Sequence, residues 1–381
     1  MDESLPHLID QVEPGAASAL SGLSELRLES RYLPALEPNP QFIRLFYRHI
    51  CHESQKPKAS LVIVHGFGET SKKYMEAGAY FALAGYDVHV LDQRHCGLSG
   101  GCRLGHDAKE AVRDVNKLLQ QVRSDLPCFI WGHSLGGLLV TYALVNNPML
   151  RIAGAVLTAP AYRLTQDLPQ WMKSFYAFLA PSSKEVIINF PLPATALSRN
   201  DSFIKSLLSD TLNRSLTTVP MLASIFDFMT QVSAQVSKLK CPVLFMHGDK
   251  DVITSHRATE EVYQKCGSAD KTLSIYPGGY HELHHDYEKE KWLKEVQGWL
   301  DSKTPTARPV GSVGKLRVAE LVQGQGRWKV WVAVVALVYV LGVILFKAKT
   351  AAKTVHWLAY TLVPKLGWPV VLPLSRFLGK R

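Results

Sequence analysis

The sequence predicts an α/β fold built on a mostly parallel sheet with helices on both of its faces. Short apolar runs rich in β-branched residues, typical of strands buried on both sides, alternate with segments of helical spacing. The alternation covers residues 25–160, stops, and resumes over residues 240–301. In such folds ligands bind at the carboxyl ends of the strands, which is where we expect the functional residues.

These two blocks form the predicted core. Residues 25–30 alternate at period two, residues 61–64 are a continuous β-branched run, and Asp107 is a plausible helix N-cap. The predicted strands are 25–30, 42–50, 61–64, 87–91, 129–132, 152–157, 243–246 and 273–276. The predicted helices are 72–83, 107–122, 135–145, 255–265 and about 286–300.

The alternation breaks over residues 161–239, where no buried strand is predicted, and we interpret this segment as an inserted cap. It contains two sets of apolar residues at helical spacing. Such faces either pack on the core or form a lipid-binding lip or acyl-chain tunnel, and both can hold at once. The sets are Trp171, Met172, Phe175, Tyr176, Phe178 and Leu179, and Met221, Leu222, Ile225, Phe226 and Met229.

The excess positive charge lies in the C-terminal part of the chain. The 381 residues carry a formal net charge of +10, of which residues 302–381 carry +12 and residues 1–301 carry −2. Basic residues that flank apolar segments suit an anionic membrane surface. The near-neutral charge of residues 1–301 argues against nucleic acid as a partner.

The C-terminal part is predicted to be a linker, residues 302–326, followed by a membrane anchor, residues 327–381. Residues 330–346 are 17 residues without a charge, bounded by lysines. As a helix they would measure about 26 Å, which spans a bilayer when the flanking lysines snorkel. A buried or surface helix is the alternative. Residues 355–374 contain three prolines, which favours a re-entrant or interfacial segment.

The N-terminus and the cysteines indicate that residues 1–301 face the cytosol. Residues 1–24 are predicted to be irregular and lack the basic start and apolar run of a signal peptide. The six cysteines form no Cys-x-x-Cys pair, so neither a disulfide framework nor a zinc knuckle is indicated. We expect free thiols and unused glycosylation patterns at Asn200 and Asn213.

A strand, a sharp turn and a helix are predicted around Ser134. The sequence Gly132-His133-Ser134-Leu135-Gly136 follows an apolar run and precedes a helical segment. This arrangement holds a serine hydroxyl clear of the backbone, and the glycines leave space where the backbones crowd. Ser99 lies in a second Gly-x-Ser-x-Gly pattern, but no helix-forming run follows it. Ser134 is therefore the candidate nucleophile and Ser99 a loop residue.

An activated serine needs a base and an orienting acid, and after this strand–turn–helix arrangement we expect the acid first and the histidine later in the chain. Asp251 follows one predicted strand, with Asp249 as the alternative acid, and His281 follows the next strand through a Pro-Gly-Gly loop. His281 also begins a His-Glu-x-x-His zinc pattern. The paired glycines place it in a loop instead, so we expect no metal. His284 and His285 are expected to be solvated or in the first turn of a helix.

Two backbone N–H groups are candidate oxyanion donors. Leu135 begins the helix after Ser134, and Phe67 lies in His65-Gly66-Phe67-Gly68 at the end of a predicted strand. The alternative for the second segment is an ordinary strand-to-helix turn. His133 is expected to be a packing residue.

These motifs resemble the monoacylglycerol lipase family of serine α/β-hydrolases over roughly residues 26–300. The resemblance rests on residues 65–69, 132–137, 248–252 and 271–281. It implies the α/β-hydrolase fold without a cofactor. It also implies Ser134 as nucleophile, Asp251 as orienting acid, His281 as base, and Phe67 with Leu135 as the oxyanion hole.

We therefore expect a membrane-anchored serine hydrolase that cleaves the acyl ester of a single-chain lipid, in the first place a monoacylglycerol. The same triad also suits a lysophospholipase, an acyl-thioesterase or an acyltransferase. A non-catalytic membrane scaffold is the alternative of another class.

Overall fold

The computed structural model describes residues 22–34, 43–100, 107–183, 186–190, 192–212 and 216–304. The chain divides into two compact units, residues 1–187 with 191–313, and residues 188–190 with 314–381. In the second unit only residues 188–190 are described. The predicted irregular segment up to residue 21 and the tail from residue 305 lie outside the described residues.

The strands of the described ranges are β1 (Leu26–Pro34), β2 (Arg44–His52), β3 (Ala59–Val64), β4 (Tyr86–Leu91), β5 (Cys128–His133), β6 (Gly154–Thr158), β7 (Ile187–Asn189), β8 (Leu216–Thr218), β9 (Val243–Gly248) and β10 (Lys271–Tyr276). Eight of them form one sheet in the spatial order β1-β2-β4-β3-β5-β6-β9-β10. The β1–β2 and β2–β4 pairs are antiparallel, and the other five pairs are parallel. The predicted mostly parallel sheet is therefore confirmed.

The α-helices are α1 (Met75–Leu83), α2 (Ala108–Leu119), α3 (Leu135–Asn146), α4 (Gln170–Leu179), α5 (Ala194–Leu197), α6 (Asp201–Ser209), α7 (Val219–Gln235), α8 (His256–Lys265) and α9 (Lys289–Lys303). Asp107 caps α2 as predicted, because its side chain accepts a hydrogen bond from the N–H of Glu110. The predicted start of the last helix at residue 286 is wrong. A 3-10 turn, Leu283–His285, comes first, and α9 then begins at Lys289.

Aromatic side chains of the core pack β5 against α9, the last described helix. The ring of Trp131 on β5 lies 4.8 Å from the ring of Trp292 on α9 and 5.2 Å from that of Tyr74, measured between centroids. The indole N–H of Trp131 donates to Oγ1 of Thr158 on β6 at 2.9 Å. These contacts fix the carboxyl end of β5, where Ser134 follows.

In the described residues between β6 and β9, the chain forms four helices, α4 to α7. The rings of Tyr142 on α3 and Phe228 on α7 stack at 3.5 Å, which packs α7 against the core. The expectation of no buried strand here is wrong at β8, where Thr217 and Thr218 are buried. Three residues are too few to produce a detectable period in the sequence.

Helix α4 buries one face and exposes the other. Met172 and Tyr176 are buried, whereas Trp171, Phe175 and Phe178 are 62%, 52% and 44% exposed. Across the described ranges, no helix is both long and apolar enough to cross a bilayer. The predicted anchor, residues 327–381, lies outside those ranges.

Candidate active site

Ser134 occupies a sharp turn between β5 and α3. Its backbone has φ 51° and ψ −117°, a left-handed conformation that is unfavourable for a residue with a side chain. Its N–H donates to the carbonyl of Thr158 at 2.9 Å, and its own carbonyl accepts from the N–H of Ala161 at 3.0 Å. Bonds to the β6 end therefore hold the strained turn in place.

Two glycines allow the backbones to approach at this turn. A Cβ added to Gly132 would lie 2.7 Å from the carbonyl oxygen of Gly136 on α3, as the crowding argument predicts. A Cβ on Gly136 would lie 2.1 Å from the carbonyl oxygen of Val64 and 2.5 Å from that of His65. The close approach at Gly136 is thus to the end of β3, not to the strand that carries the serine.

Asp251 and His281 meet beyond the ends of β9 and β10. Nδ1 of His281 lies 2.6 Å from Oδ2 of Asp251. Oδ1 of Asp251 accepts from the N–H groups of Ile253 at 2.7 Å and Thr254 at 2.9 Å. Oδ2 also accepts from the Thr254 hydroxyl at 2.8 Å and lies 3.0 Å from Nε2 of His247. The carboxylate is thereby fixed in one orientation toward the His281 ring.

The charges of this pair stabilise each other. Burial alone would raise the pKa of Asp251, but the facing rings of His281 and His247 hold it well below its usual range. Burial alone would lower the pKa of His281, but the Asp251 carboxylate raises it above its ordinary value. The site is thus arranged to stabilise a protonated His281 ring, as a general base requires.

Ser134, His281 and Phe67 line the same cavity. Within the described part of the chain, no hydrogen bond joins the Ser134 hydroxyl to the His281 ring. Such contacts are often long in serine hydrolases without substrate and shorten when substrate binds. Phe67 also lines an adjoining cavity together with Leu135, the first residue of α3. Four of the five predicted site residues therefore line two cavities that share Phe67. The fifth, Asp251, lines neither cavity and contacts the ring of His281 at 2.6 Å.

The rejected alternatives lie in structural positions. Oδ1 of Asp249 accepts from the N–H of Gly278 at 2.7 Å and stabilises the loop before His281. The Ser99 hydroxyl donates to the carbonyl of Asp92 at 2.5 Å and accepts from the N–H of Phe46 at 2.8 Å. These bonds give Ser99 the loop role that the sequence predicts.

The zinc pattern does not form a helix. His281 precedes the 3-10 turn that contains His284, so the two rings are not presented by one helical face. The expectation of a solvated His284 is wrong, because its buried ring packs against Tyr74 and Trp131, each at 5.2 Å. His133 is buried, with Nδ1 at 3.2 Å from Oγ1 of Thr158, as expected of a packing residue.

An ion-pair network that we did not predict lies beside the site. Nζ of Lys73 donates to Oε1 of Glu69 at 2.7 Å and to Oε1 of Glu282 at 2.6 Å. Oε2 of Glu69 accepts from the N–H of Gly66 at 2.7 Å and the hydroxyl of Tyr74 at 2.6 Å. Burial raises the pKa of Glu282 to about 7 despite its contact with Lys73. The spacing of Glu69 and Lys73 by four residues was the available sequence signal.

This network bears on metal binding. Glu282 belongs to two sets of buried side chains whose ligand atoms lie within 4.8 Å of one another, one with His284 and His285, the other with Glu69 and His133. The Lys73 ammonium is bonded to both carboxylates and would repel a cation there. We therefore interpret the cluster as an ion-pair network.

Comparison with known proteins places this geometry in a family. Residues 55–288 match the family described as serine aminopeptidase, S33. The human monoglyceride lipase is 29% identical over 263 residues, which are 66% of this chain and 85% of that protein. An uncharacterised abhydrolase domain-containing protein of Dictyostelium discoideum is 26% identical over 66% of this chain, and the match spans only 27% of that longer protein.

A solved structure agrees with these matches. The monoacylglycerol lipase of Paleococcus ferrophilus is 27% identical, with a TM-score of 0.63, over 68% of this chain and 99% of that one. The fold, the family match over more than half of the chain and these relatives agree with the resemblance found in the sequence. The chain belongs to the serine aminopeptidase S33 family and, within it, to the monoacylglycerol lipase-like α/β-hydrolases.

Proposed function

We propose that this chain is a serine hydrolase that cleaves the carboxylic ester of a monoacylglycerol and releases fatty acid and glycerol. The observation that carries the proposal is the 2.6 Å contact between Asp251 and His281, at a cavity that His281 lines together with Ser134. The relatives named monoglyceride and monoacylglycerol lipase support this substrate.

In the proposed mechanism, Nε2 of His281 removes the proton of the Ser134 hydroxyl as Oγ attacks the ester carbonyl. Asp251 holds the ring and stabilises its positive charge. The N–H groups of Phe67 and Leu135 receive the oxyanion of the tetrahedral intermediate. The proton on His281 then passes to the departing glycerol oxygen. A water molecule, deprotonated by His281, hydrolyses the acyl-serine ester, and Ser134 regains its proton.

The cavity beside Ser134 suits a substrate with both an alkyl chain and a polar group. Its lining combines five aliphatic side chains with charged ones. The aliphatic residues are Leu192, Ala194, Leu197, Leu207 and Leu208, and the charged residues are Glu69, Lys73 and Asp210. A single acyl chain joined to a small polyol matches this lining.

The substrate class is tested with matched lipids. Fatty-acid release from 1-oleoylglycerol, 1-oleoyl lysophosphatidylcholine and oleoyl-coenzyme A is measured with the full-length protein in the same neutral micelles. We expect the highest kcat/KM for 1-oleoylglycerol. Preferred cleavage of either other lipid would replace the monoacylglycerol proposal with a lysophospholipase or a thioesterase.

We further propose that residues 327–381 anchor the enzyme to an intracellular membrane with its catalytic domain in the cytosol. The uncharged segment 330–346 and the charge of +12 after residue 301 support the anchor. The exposed aromatic face of α4 supports contact of the cap with lipid, since it offers Trp171, Phe175 and Phe178 at spacings of four and three residues. The side chain of Asn200 caps α6, which fits an unglycosylated asparagine.

The anchor is tested by alkaline carbonate extraction of membranes from expressing cells. The full chain is expected in the pellet, and the double variant Val338→Arg/Leu341→Arg in the supernatant. Release of the wild-type chain into the supernatant would contradict the anchor. A loss of mass on endoglycosidase treatment would show that the chain carries a glycan and would contradict the cytosolic orientation.

A further inference from the structure

Lys73 is a buried cation in the wall of the cavity that contains Ser134. Its side chain is 6% exposed, and it lines the cavity together with Glu69 and Asp210. Among the described residues that line this cavity, it is the one positively charged side chain. A buried ammonium beside the reacting ester would ordinarily attract an anionic substrate.

Glu282 forms an ion pair with Lys73 but does not line the cavity. Its side chain is fully buried, and Oε1 accepts from Nζ of Lys73 at 2.6 Å. Its backbone N–H donates to the carbonyl of Leu197 at 2.8 Å, which fixes its position. Lys73 is therefore bonded on one side to Glu69 in the cavity wall and on the other to Glu282 behind it.

The wall of the cavity beside Ser134 carries a net negative charge. Lys73 is paired with two carboxylates, and Asp210 adds a third carboxylate that lines the cavity. Among the described residues, Asp210 forms an ion pair with Lys72, whose Nζ is 3.8 Å away on a side chain that is 49% exposed and hence screened by solvent. A phosphate group entering this cavity would meet an ammonium that is already paired with two carboxylates and, in addition, the Asp210 carboxylate. Hydroxyl groups would instead find hydrogen-bond acceptors.

We propose that Glu282 is a specificity-determining residue, which compensates the charge of Lys73 so that the cavity beside Ser134 accepts esters of uncharged alcohols and rejects esters that carry an anionic group. The inference rests on the proposed function and adds to it a reason why a neutral glycerol ester is preferred over its phosphorylated counterpart. Glu282 acts through Lys73 and does not touch the reacting atoms.

The test compares 1-oleoylglycerol with 1-oleoylglycerol 3-phosphate in neutral micelles at pH 8, using the full-length protein. The wild type is expected to favour the uncharged ester by at least about tenfold in kcat/KM. Glu282→Gln keeps the size of the side chain but removes its charge, and it should reduce that preference about tenfold. Glu290→Gln makes the same change at an exposed position and should leave the preference unchanged. The double variant Lys73→Met/Glu282→Gln should restore it, because the loss of the ammonium offsets the loss of the Glu282 charge and returns the net charge of the cavity wall to that of the wild type.

The outcomes separate the two claims. An equal preference in wild type and Glu282→Gln, or a parallel loss of kcat/KM for both lipids, would overturn the role of Glu282 while leaving the hydrolase intact. A wild type without preference would overturn it even if Glu282→Gln failed to fold. A wild type inactive on both esters would contradict the proposed function itself, and this inference with it.

Discussion

The imidazole Nδ1 of His281 lies 2.6 Å from Oδ2 of Asp251, although 30 residues separate them in the chain. The two meet because β9 and β10 are parallel neighbours, so that the loops after both strands leave the same edge of the sheet. Four further contacts from Ile253, Thr254 and His247 fix the carboxylate. The loop that carries Asp251 thus orients the ring of His281.

Replacing Asp251 by Asn is expected to lower kcat on 1-oleoylglycerol by about 10⁴-fold, because the amide no longer stabilises the protonated ring or selects its tautomer. Steady-state hydrolysis measures this effect. Asp249→Asn is the matched control, since Asp249 bonds the loop at Gly278, and it should retain most of the activity. A larger loss in Asp249→Asn would assign the acid role to Asp249.

The pH dependence of kcat/KM should report His281. The ring acts as a base only when neutral, so activity rises with pH through its pKa, and the midpoint should lie above 6.5 because Asp251 raises that pKa. The Glu282 carboxylate also raises it, so Glu282→Gln should move the midpoint to lower pH. A midpoint below 6.5 in the wild type, or an upward shift in the variant, would contradict these assignments.

Glu282 should also make stability depend on pH. Burial raises its pKa in the folded state above the ordinary 4.5, so between these values the folded chain binds more protons than the unfolded one. Ionisation of Glu282 therefore lowers the free energy of unfolding as pH rises from about 4.5 to about 7. Relative to the wild type, Glu282→Gln should gain stability over this interval in urea denaturation. A constant difference between the two proteins would contradict the raised pKa.

Alanine substitutions at two glycines should change the stability of the protein in opposite directions. Gly136→Ala places a Cβ 2.1 Å from the carbonyl oxygen of Val64 and should cost roughly 3 kcal/mol or more of unfolding free energy, because a backbone contact cannot yield. A Cβ on Gly298, within α9, meets nothing within 4 Å. Gly298→Ala should stabilise the protein by about 1 kcal/mol through helix propensity. If both variants shifted the denaturation midpoint in the same direction relative to the wild type, this account of the turn would be contradicted.

The sequence was sufficient to predict the sheet and the approach of Ser134, Asp251 and His281. Each of these residues follows a predicted strand, and neighbouring parallel strands bring their carboxyl ends to the same edge of the sheet. The catalytic roles of these residues remain predictions for the experiments above.

Other features depend on contacts that the sequence does not encode locally. Lys73 and Glu282 are 209 residues apart and belong to no shared motif, so their ion pair becomes apparent only in the fold. His284 is polar and was expected in solvent or in the first turn of a helix. It lies in a 3-10 turn, where Tyr74 and Trp131 pack against it from other elements. The buried strand β8 is too short to show a period.

The most direct test of the central claim is fatty-acid release from 1-oleoylglycerol by the wild type, Ser134→Ala and Ser99→Ala. Both substitutions alter the serine of a Gly-x-Ser-x-Gly pattern, but only Ser134 lines the cavity with His281. We expect Ser134→Ala to lose at least about 10⁴-fold in kcat while remaining folded by circular dichroism, and Ser99→Ala to stay within about tenfold of the wild type. Full activity in folded Ser134→Ala would contradict the nucleophile and the mechanism built on it.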